Sequence, residues 1–214
     1  MAMGIERVID GVLRFQREVY PREEEMFREL AEGQSPQVLF IGCADSRVVP
    51  EILTQQGPGA MFVVRNAGNI VPPYGPEPGG VQASIEYAVS VLEVPDIVIC
   101  GHSGCGAMSA IQVGTEALER LPAVARWLHY ADSAKVAVDS EHAHAAPDVY
   151  LDALVHENVL AQLANLLTHP TVRKGVEAKK IRLHGWVYDM HAGGVETYDA
   201  GAAAFVTLAA STKA

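Results

Sequence analysis

The chain alternates short apolar segments with segments of helical spacing. Uninterrupted apolar runs cover residues 38–41, 61–64 and 97–100. Such runs are typical of strands in a parallel sheet that is covered on both faces. Residues 81–91, between the second and third runs, carry apolar side chains on one helical side. The order predicts an α/β fold, with a mostly parallel central sheet flanked by helices.

Further elements lie on either side of this region. Residues 151–167 repeat apolar side chains at spacings of three and four, which predicts a core helix, and residues 181–188 predict a later strand. The N-terminal stretch through Tyr20 reads as helical, and a second helix is predicted from Pro21, at its first position, to Leu30. We expect these N-terminal helical arms to pack on a partner subunit.

Two segments read as loops. Residues 71–80 are rich in proline and glycine, and residues 139–148 are polar. No internal repeat, low-complexity tract or linker that would divide the chain is found. We therefore predict one domain over residues 1–214, with the helical arms in 1–33 and the α/β core with C-terminal helices in 34–214.

Composition narrows the functional classes. The 214 residues carry a formal net charge of −10, which disfavours a nucleic-acid partner. No apolar run approaches the roughly 18 residues of a membrane span, and the first ten residues do not resemble a signal peptide. We expect a cytoplasmic protein without a membrane partner. Its three cysteines cannot form a disulfide framework, which favours reduced thiols or metal ligands.

Potential metal ligands follow two of the predicted strands. Cys43 and Asp45 come directly after the first apolar run, and His102 and Cys105 come after the third. The carboxyl ends of parallel strands open onto a common crevice, so these four side chains should meet. Thiolate sulfur and imidazole nitrogen are ligands that zinc prefers. The sequence therefore predicts a zinc site.

The role of Asp45 has two readings. It is either the fourth ligand, which closes the site, or an acceptor beside the metal that leaves one position open to water. Arg47 favours the second reading, because a guanidinium two residues away can hold the carboxylate off the metal.

Other candidate ligands are given structural roles. Cys100 lies inside an apolar run and is expected to pack in the core. His142 and His144 are read as part of a solvated loop, and His184 and His191 as structural residues.

Together these motifs resemble those of a known family. Cys43-Ala-Asp-Ser-Arg47, Arg65-Asn-Ala-Gly-Asn69, Glu86-Tyr87-Ala88 and His102-Ser-Gly-Cys105 are similar to the signatures of the β-class carbonic anhydrases. The similarity covers nearly the whole chain and is greatest to the bacterial branch found alongside cyanase.

The resemblance implies reversible hydration of carbon dioxide to bicarbonate and a proton, by attack of zinc-bound hydroxide. It implies one zinc ion per chain on Cys43, His102 and Cys105, with Asp45 and Arg47 as the catalytic dyad. It also implies a homodimer or higher even oligomer. The positions matching the family's substrate pocket are Gln34, Phe62, Ala67, Tyr87 and Gly106.

Two positions depart from some family members. Phe40 stands where some carry a tryptophan beside an inhibitory bicarbonate, although Gly42 and Arg65 are retained, and Ala67 replaces a valine found in plant relatives.

Two alternative functions stay open. A carbon disulfide or carbonyl sulfide hydrolase could use the same ligands on the same scaffold. A non-catalytic, zinc-stabilised interaction protein would need Asp45 as a permanent fourth ligand, which Arg47 and Gln34 argue against.

Overall fold

A computed structural model describes residues 4–76, 79–114, 118 and 120–209. The chain divides into two compact units, residues 1–35 and residues 36–214.

The first unit is helical, as predicted. Helix α1 (Ile5–Arg14) continues through a π-helical turn and a 3-10 turn, and α2 (Glu24–Glu32) follows. Phe27 of α2 stacks on Tyr20 and meets Phe15 edge-on, with both ring-centroid distances at 5.4 Å. The predicted start of the second helix was wrong. Pro21 lies in the 3-10 turn (Tyr20–Arg22), and α2 begins three residues later, at Glu24.

The second unit is built on a six-stranded sheet. Its strands are β1 (Val38–Cys43), β2 (Met61–Asn66), β3 (Asp96–His102), β4 (Arg182–Tyr188), β5 (Val195–Asp199) and β6 (Ala204–Thr207). The spatial order is β2-β1-β3-β4-β5-β6. The first four are parallel and correspond to the predicted strands, whereas β5 and β6 add an antiparallel hairpin that was not predicted. The mostly parallel α/β fold is therefore confirmed.

Helices connect and cover the strands. They are α3 (Pro50–Thr54), α4 (Gly80–Ser90), α5 (Gly106–Val113), α6 (Pro122–Leu128), α7 (Asp132–His142), α8 (Pro147–Thr168) and α9 (Pro170–Glu177). The predicted core helix forms most of α8. The predicted loop at 139–148 was wrong at both ends. The last turn of α7 is stabilised by Asp139, which accepts hydrogen bonds from Lys135 (2.6 Å) and Tyr150 (2.6 Å).

One face of the sheet forms the main core under α8. Gly101 of β3 and Gly185 of β4 allow the helix to approach closely. A Cβ atom at Gly101 would lie 2.9 Å from Val159, and one at Gly185 would lie 2.9 Å from both Val159 and Leu163. The helix is thus fixed against the two strands beside the carboxyl end of β1.

The other face carries a smaller apolar cluster. Phe40, Val98 and Cys100 are buried there, and the Phe40 ring meets Trp186 edge-on at 6.4 Å. The expected packing role of Cys100 is confirmed, and burial raises the pKa of its thiol to about 12. A groove of about 620 Å³, lined mainly by apolar side chains, runs across this face.

Candidate metal centre and active site

Two strand ends bring the predicted ligands together. Strands β1 and β3 are parallel neighbours, with Gly42 opposite Cys100, so Cys43 and His102 end at the same edge of the sheet. The ligand atoms of Cys43, His102 and Cys105 all lie within 4.8 Å of one another, and the three residues are buried. The predicted meeting of these side chains is confirmed.

The two neighbouring thiols shift each other's pKa in opposite directions. The neighbouring Cys105 thiol lowers the pKa of Cys43, whereas the Cys43 side chain and burial raise the pKa of Cys105. Cys105 also stands at the N-cap of α5, where the backbone N–H groups of Ala107 and Met108 face its sulfur. A helix N-terminus favours a thiolate, and a divalent cation would stabilise both thiolates together.

His102 is oriented to complete a metal site. Its Nδ1 lies 3.0 Å from the carbonyl oxygen of Ser103. That oxygen can accept a hydrogen bond from a protonated Nδ1, which leaves a free lone pair on Nε2. That Nε2 atom is fully buried and has no hydrogen-bond partner among the described residues. A buried nitrogen of this kind is costly unless something binds it. Together with two thiols, it matches the donors of a zinc site.

A carboxylate stands beside the ligands without joining them. Asp45 Oδ2 lies 4.0 Å from His102 Nε2. Arg47 donates to Asp45 from Nε to Oδ1 at 2.9 Å and from a terminal nitrogen to Oδ2 at 2.7 Å, and its backbone N–H also donates to Oδ1 at 3.0 Å. These hydrogen bonds hold the pKa of Asp45 well below its usual range. The carboxylate is therefore ionised and fixed.

Two residues without a predicted role shape the site. Arg65 donates to the carbonyl oxygens of Cys43 (3.0 Å) and Asp45 (2.6 Å), so it holds the turn that carries the carboxylate. Gly104, with φ of +61°, accepts a 3.3 Å hydrogen bond from Arg47. The retained Arg65 in the β2 motif was the available signal, but sequence does not show which carbonyls it reaches.

The predicted pocket residues fall into three groups. Ala67 follows β2 in the turn beside the cysteines, and Gly106 begins α5 directly after Cys105. Phe62 and Tyr87 lie together, with ring centroids 5.8 Å apart, but Phe62 pairs with Leu39, four residues before Cys43. That places Phe62 about 13 Å along the strand from the metal ligands. Gln34 belongs to the first unit.

The fold and site define an α/β protein with a candidate Cys–His–Cys metal centre and an adjacent, arginine-bound carboxylate. The family model described as carbonic anhydrase matches residues 38–195. Carbonic anhydrase from Pseudomonas aeruginosa is 58% identical over 94% of this chain and 91% of its own length. Carbonic anhydrase 1 from Escherichia coli O157:H7 is 55% identical over 98% of this chain and 94% of its own length. The chain belongs to the β-class carbonic anhydrases, which confirms the predicted carbonic anhydrase function, whereas the roles of Asp45 and Arg47 stay predictions.

Solved structures agree with this assignment. The β-carbonic anhydrase CcaA superposes with a TM-score of 0.93 at 39% identity, covering 95% of this chain and 99% of its own. A tetrameric β-carbonic anhydrase from Sordaria macrospora superposes with a TM-score of 0.78 at 27% identity, covering 95% of this chain and 98% of its own. Within the described part of the chain, no helix has both the length and the hydropathy to cross a bilayer.

Proposed function

We propose that Cys43, His102 and Cys105 bind one zinc ion per chain, and that Asp45 and Arg47 are the catalytic dyad for carbon dioxide hydration. The observation that carries the proposal is the placement of Asp45. Its Oδ2 lies 4.0 Å from the ligand atom of His102, and both its oxygens accept hydrogen bonds from Arg47. A zinc site that only stabilised the fold would not need a restrained carboxylate beside it.

The chain's own groups divide the work of hydration. Bound zinc would supply a water molecule acidified toward neutral pH. Asp45 is ionised and can accept a hydrogen bond from that water molecule. The hydrogen bond would orient the water so that a lone pair on the water oxygen points at carbon dioxide. Arg47 keeps the carboxylate in this orientation through its two side-chain hydrogen bonds. It also donates to the carbonyl oxygen of Gly104, in the turn that follows β3.

The same geometry would leave one coordination position of a bound zinc ion open to water. Asp45 is close enough to the ligands to reach the metal if its side chain turned. The bidentate contact with Arg47 opposes this rotation, because both hydrogen bonds to the carboxylate would break. We therefore assign Asp45 a place beside zinc while Arg47 is paired with it.

We propose that the substrate pocket is shared between two copies of the chain. Ala67 and Gly106 adjoin the ligands of their own chain. Phe62 near the amino end of β2 and Tyr87 of α4 lie together, away from these ligands, and would line the pocket of a neighbouring copy. Gln34 would donate a hydrogen bond to an oxygen of carbon dioxide. An apolar substrate needs such a donor to polarise it.

Two apolar surfaces support the proposal of a homodimer or higher even oligomer. Ile5, Val8, Ile9 and Val12 are each at least half exposed and recur along one side of α1. In the second unit, the groove across the sheet exposes apolar side chains that parallel sheets normally cover. We propose that the N-terminal helical arms pack on a partner subunit.

We propose a cytoplasmic location, which suits three cysteines that are free and buried. The link to the cyanase-associated branch stays a prediction from motif similarity.

Stopped-flow assays with different substrates test the proposed reaction. The zinc-loaded protein should hydrate carbon dioxide and should hydrolyse carbon disulfide and carbonyl sulfide at least about 100-fold more slowly. Faster turnover of either sulfur compound would favour the hydrolase alternative. No turnover of any of the three by zinc-loaded oligomer would favour the interaction-protein alternative.

A further inference from the structure

A row of buried amide side chains on α8 is unusual for a core helix. Asn158 and Gln162 are 1% and 0% exposed, and Asn165 is half-buried. Their spacing of four and three residues places them on one side of the helix. Buried amides cost free energy unless every polar atom is paired. Their partners therefore show what the row holds in place.

The amides form a chain of hydrogen bonds that ends on the turn after β2. Asn165 donates to Gln162 (3.2 Å), Gln162 donates to Asn158 (2.9 Å), and Asn158 donates to the carbonyl oxygen of Gly68 (3.0 Å). Both polar backbone groups of Val71 are also bound, its N–H by Gln162 (2.8 Å) and its carbonyl by Asn165 (2.9 Å). The turn is thus fixed from the core side.

A second element holds the same turn. Trp127 of α6 donates from its indole nitrogen to the carbonyl oxygen of Ala67 at 2.8 Å. Gly68 and Asn69 have φ of +81° and +48°, so both lie in the left-handed region and their carbonyls have left the sheet ladder. Among the described residues, the buried Nδ2 of Asn69 has no hydrogen-bond partner. Trp127 and Asn158 therefore hold two carbonyl groups of a turn whose ends Asn66 and Ile70 also join, through hydrogen bonds of 2.8 and 2.7 Å.

This turn lies against both cysteine ligands. A Cβ atom at Gly68 would lie 3.0 Å from Ala107 and 3.2 Å from Met108, the residues whose N–H groups face Cys105. The backbone N–H of Gly68 faces Cys43. A shift of the turn would therefore disturb the surroundings of both sulfur atoms and the pocket residue Ala67 together.

We propose that Asn158 and Trp127 are positioning residues for the metal centre, which act by fixing the turn at residues 67–69 against the two cysteine ligands. Neither touches the ligands directly. The inference rests on the zinc site proposed above. Groups that hydrogen-bond a metal ligand directly typically contribute 10- to 100-fold in metal affinity or activity, and the backbone N–H of Gly68, which Asn158 holds in place, is such a partner of Cys43.

Two substitutions test the role of each donor. Asn158→Leu keeps the size of the side chain but removes the donor to Gly68, and Trp127→Phe keeps an aromatic ring but removes the donor to Ala67. Trp186→Phe is the matched control, because Trp186 lies in the apolar cluster on the opposite face of the sheet. Zinc affinity is measured by competition with a chromophoric chelator. The sulfur-to-cobalt absorption band is recorded after cobalt substitution, beside thermal unfolding of each metal-free protein.

We expect zinc affinity to fall at least about tenfold in Asn158→Leu and several-fold in Trp127→Phe, with a shifted cobalt band in both. The control should match wild type in zinc affinity and in the cobalt band. Lower unfolding temperatures with unchanged zinc affinity and cobalt bands would overturn the proposal, because they would show a purely structural role. If Asn158→Leu does not fold, Trp127→Phe decides by the same criteria. Wild-type protein that binds no zinc would reject the zinc site itself.

Discussion

In the proposed mechanism, hydration depends most on the individual chemistry of Asp45 and Arg47. Asp45→Asn places an amide where the structure needs an acceptor, and its NH₂ group would face the donors of Arg47. We expect unchanged zinc content and a loss of about 100-fold or more in kcat/KM for carbon dioxide, the scale of a lost proton acceptor. Metal analysis and stopped-flow spectrophotometry measure both quantities. The control is Asp152→Asn, at an exposed position of α8, and full activity of Asp45→Asn would remove Asp45 from the mechanism.

Arg47→Ala should inactivate the protein by a different route. Without its guanidinium partner, Asp45 is free to turn toward the ligand group 4.0 Å away. We expect a metal-loaded protein with at least about 100-fold lower turnover and Asp45 bound to zinc in a crystal structure. A structure of the variant with Asp45 still turned away from zinc would contradict this role for Arg47.

The ligands could be predicted from sequence because their chemistry is local to two strand ends. Cys43, His102 and Cys105 are side chains of suitable type at positions where a parallel sheet must converge. The contacts of Arg65 and Asn158 could not be predicted. Both act on backbone carbonyls of other segments, and a carbonyl leaves no mark in the sequence.

At the scale of elements, α8 depends on close approach to β3 and β4. Gly185→Ala would place a methyl group 2.9 Å from side-chain atoms of Val159 and Leu163. We expect the free energy of unfolding to fall by about 1–3 kcal/mol, as for other overpacked cores. Gly194→Ala is the matched control, because a Cβ atom there meets nothing within 4 Å. Equal denaturant midpoints for the two variants would show that the contact is not tight.

An ion pair joins the amino ends of β3 and β4. Asp96 accepts hydrogen bonds from Arg182 (2.8 and 2.6 Å) and from His184 (2.7 Å). Burial acts to raise the pKa of Asp96, but these partners outweigh it and the pKa is lowered. The stabilisation is therefore complete above the unfolded-state pKa of about 3.9, and it is lost as pH falls through the lower folded-state pKa.

Asp96→Asn should test this pH dependence. We expect a loss of about 1–3 kcal/mol in the free energy of unfolding at neutral pH, the scale of hydrogen bonds to a charged group. The difference from wild type should shrink as pH falls below about 4. Urea titrations across this range measure it, and a difference independent of pH would contradict the ionised pair.

The parallel strands could be predicted because each is an apolar run buried on both faces. The hairpin of β5 and β6 could not, since its segments mix polar and apolar residues and lie at the edge of the sheet. The helical end of α7 was missed because its stability comes from Lys135 and Tyr150, whose contacts with Asp139 involve side-chain geometry.

In the whole molecule, the proposed substrate pocket requires association between two copies of the chain. Val8→Glu combined with Val12→Glu places two charges on the apolar side of α1. We expect sedimentation velocity to show monomers, with a loss of activity if Phe62 and Tyr87 serve a neighbouring pocket. Arg14→Glu is the control, because it makes the same change of −2 in charge on the opposite side of the helix. An intact oligomer in the double variant would exclude α1 as the interface.

The central claim is that hydration depends on one zinc ion held by Cys43, His102 and Cys105. Adding zinc stepwise to chelator-treated protein, while carbon dioxide hydration is followed by stopped-flow, tests it most directly. We expect no enzymatic rate at the start, a linear rise, and a sharp end point at one zinc ion per chain. A full rate before any zinc is added, or an end point that survives replacement of Cys43 by serine, would contradict it.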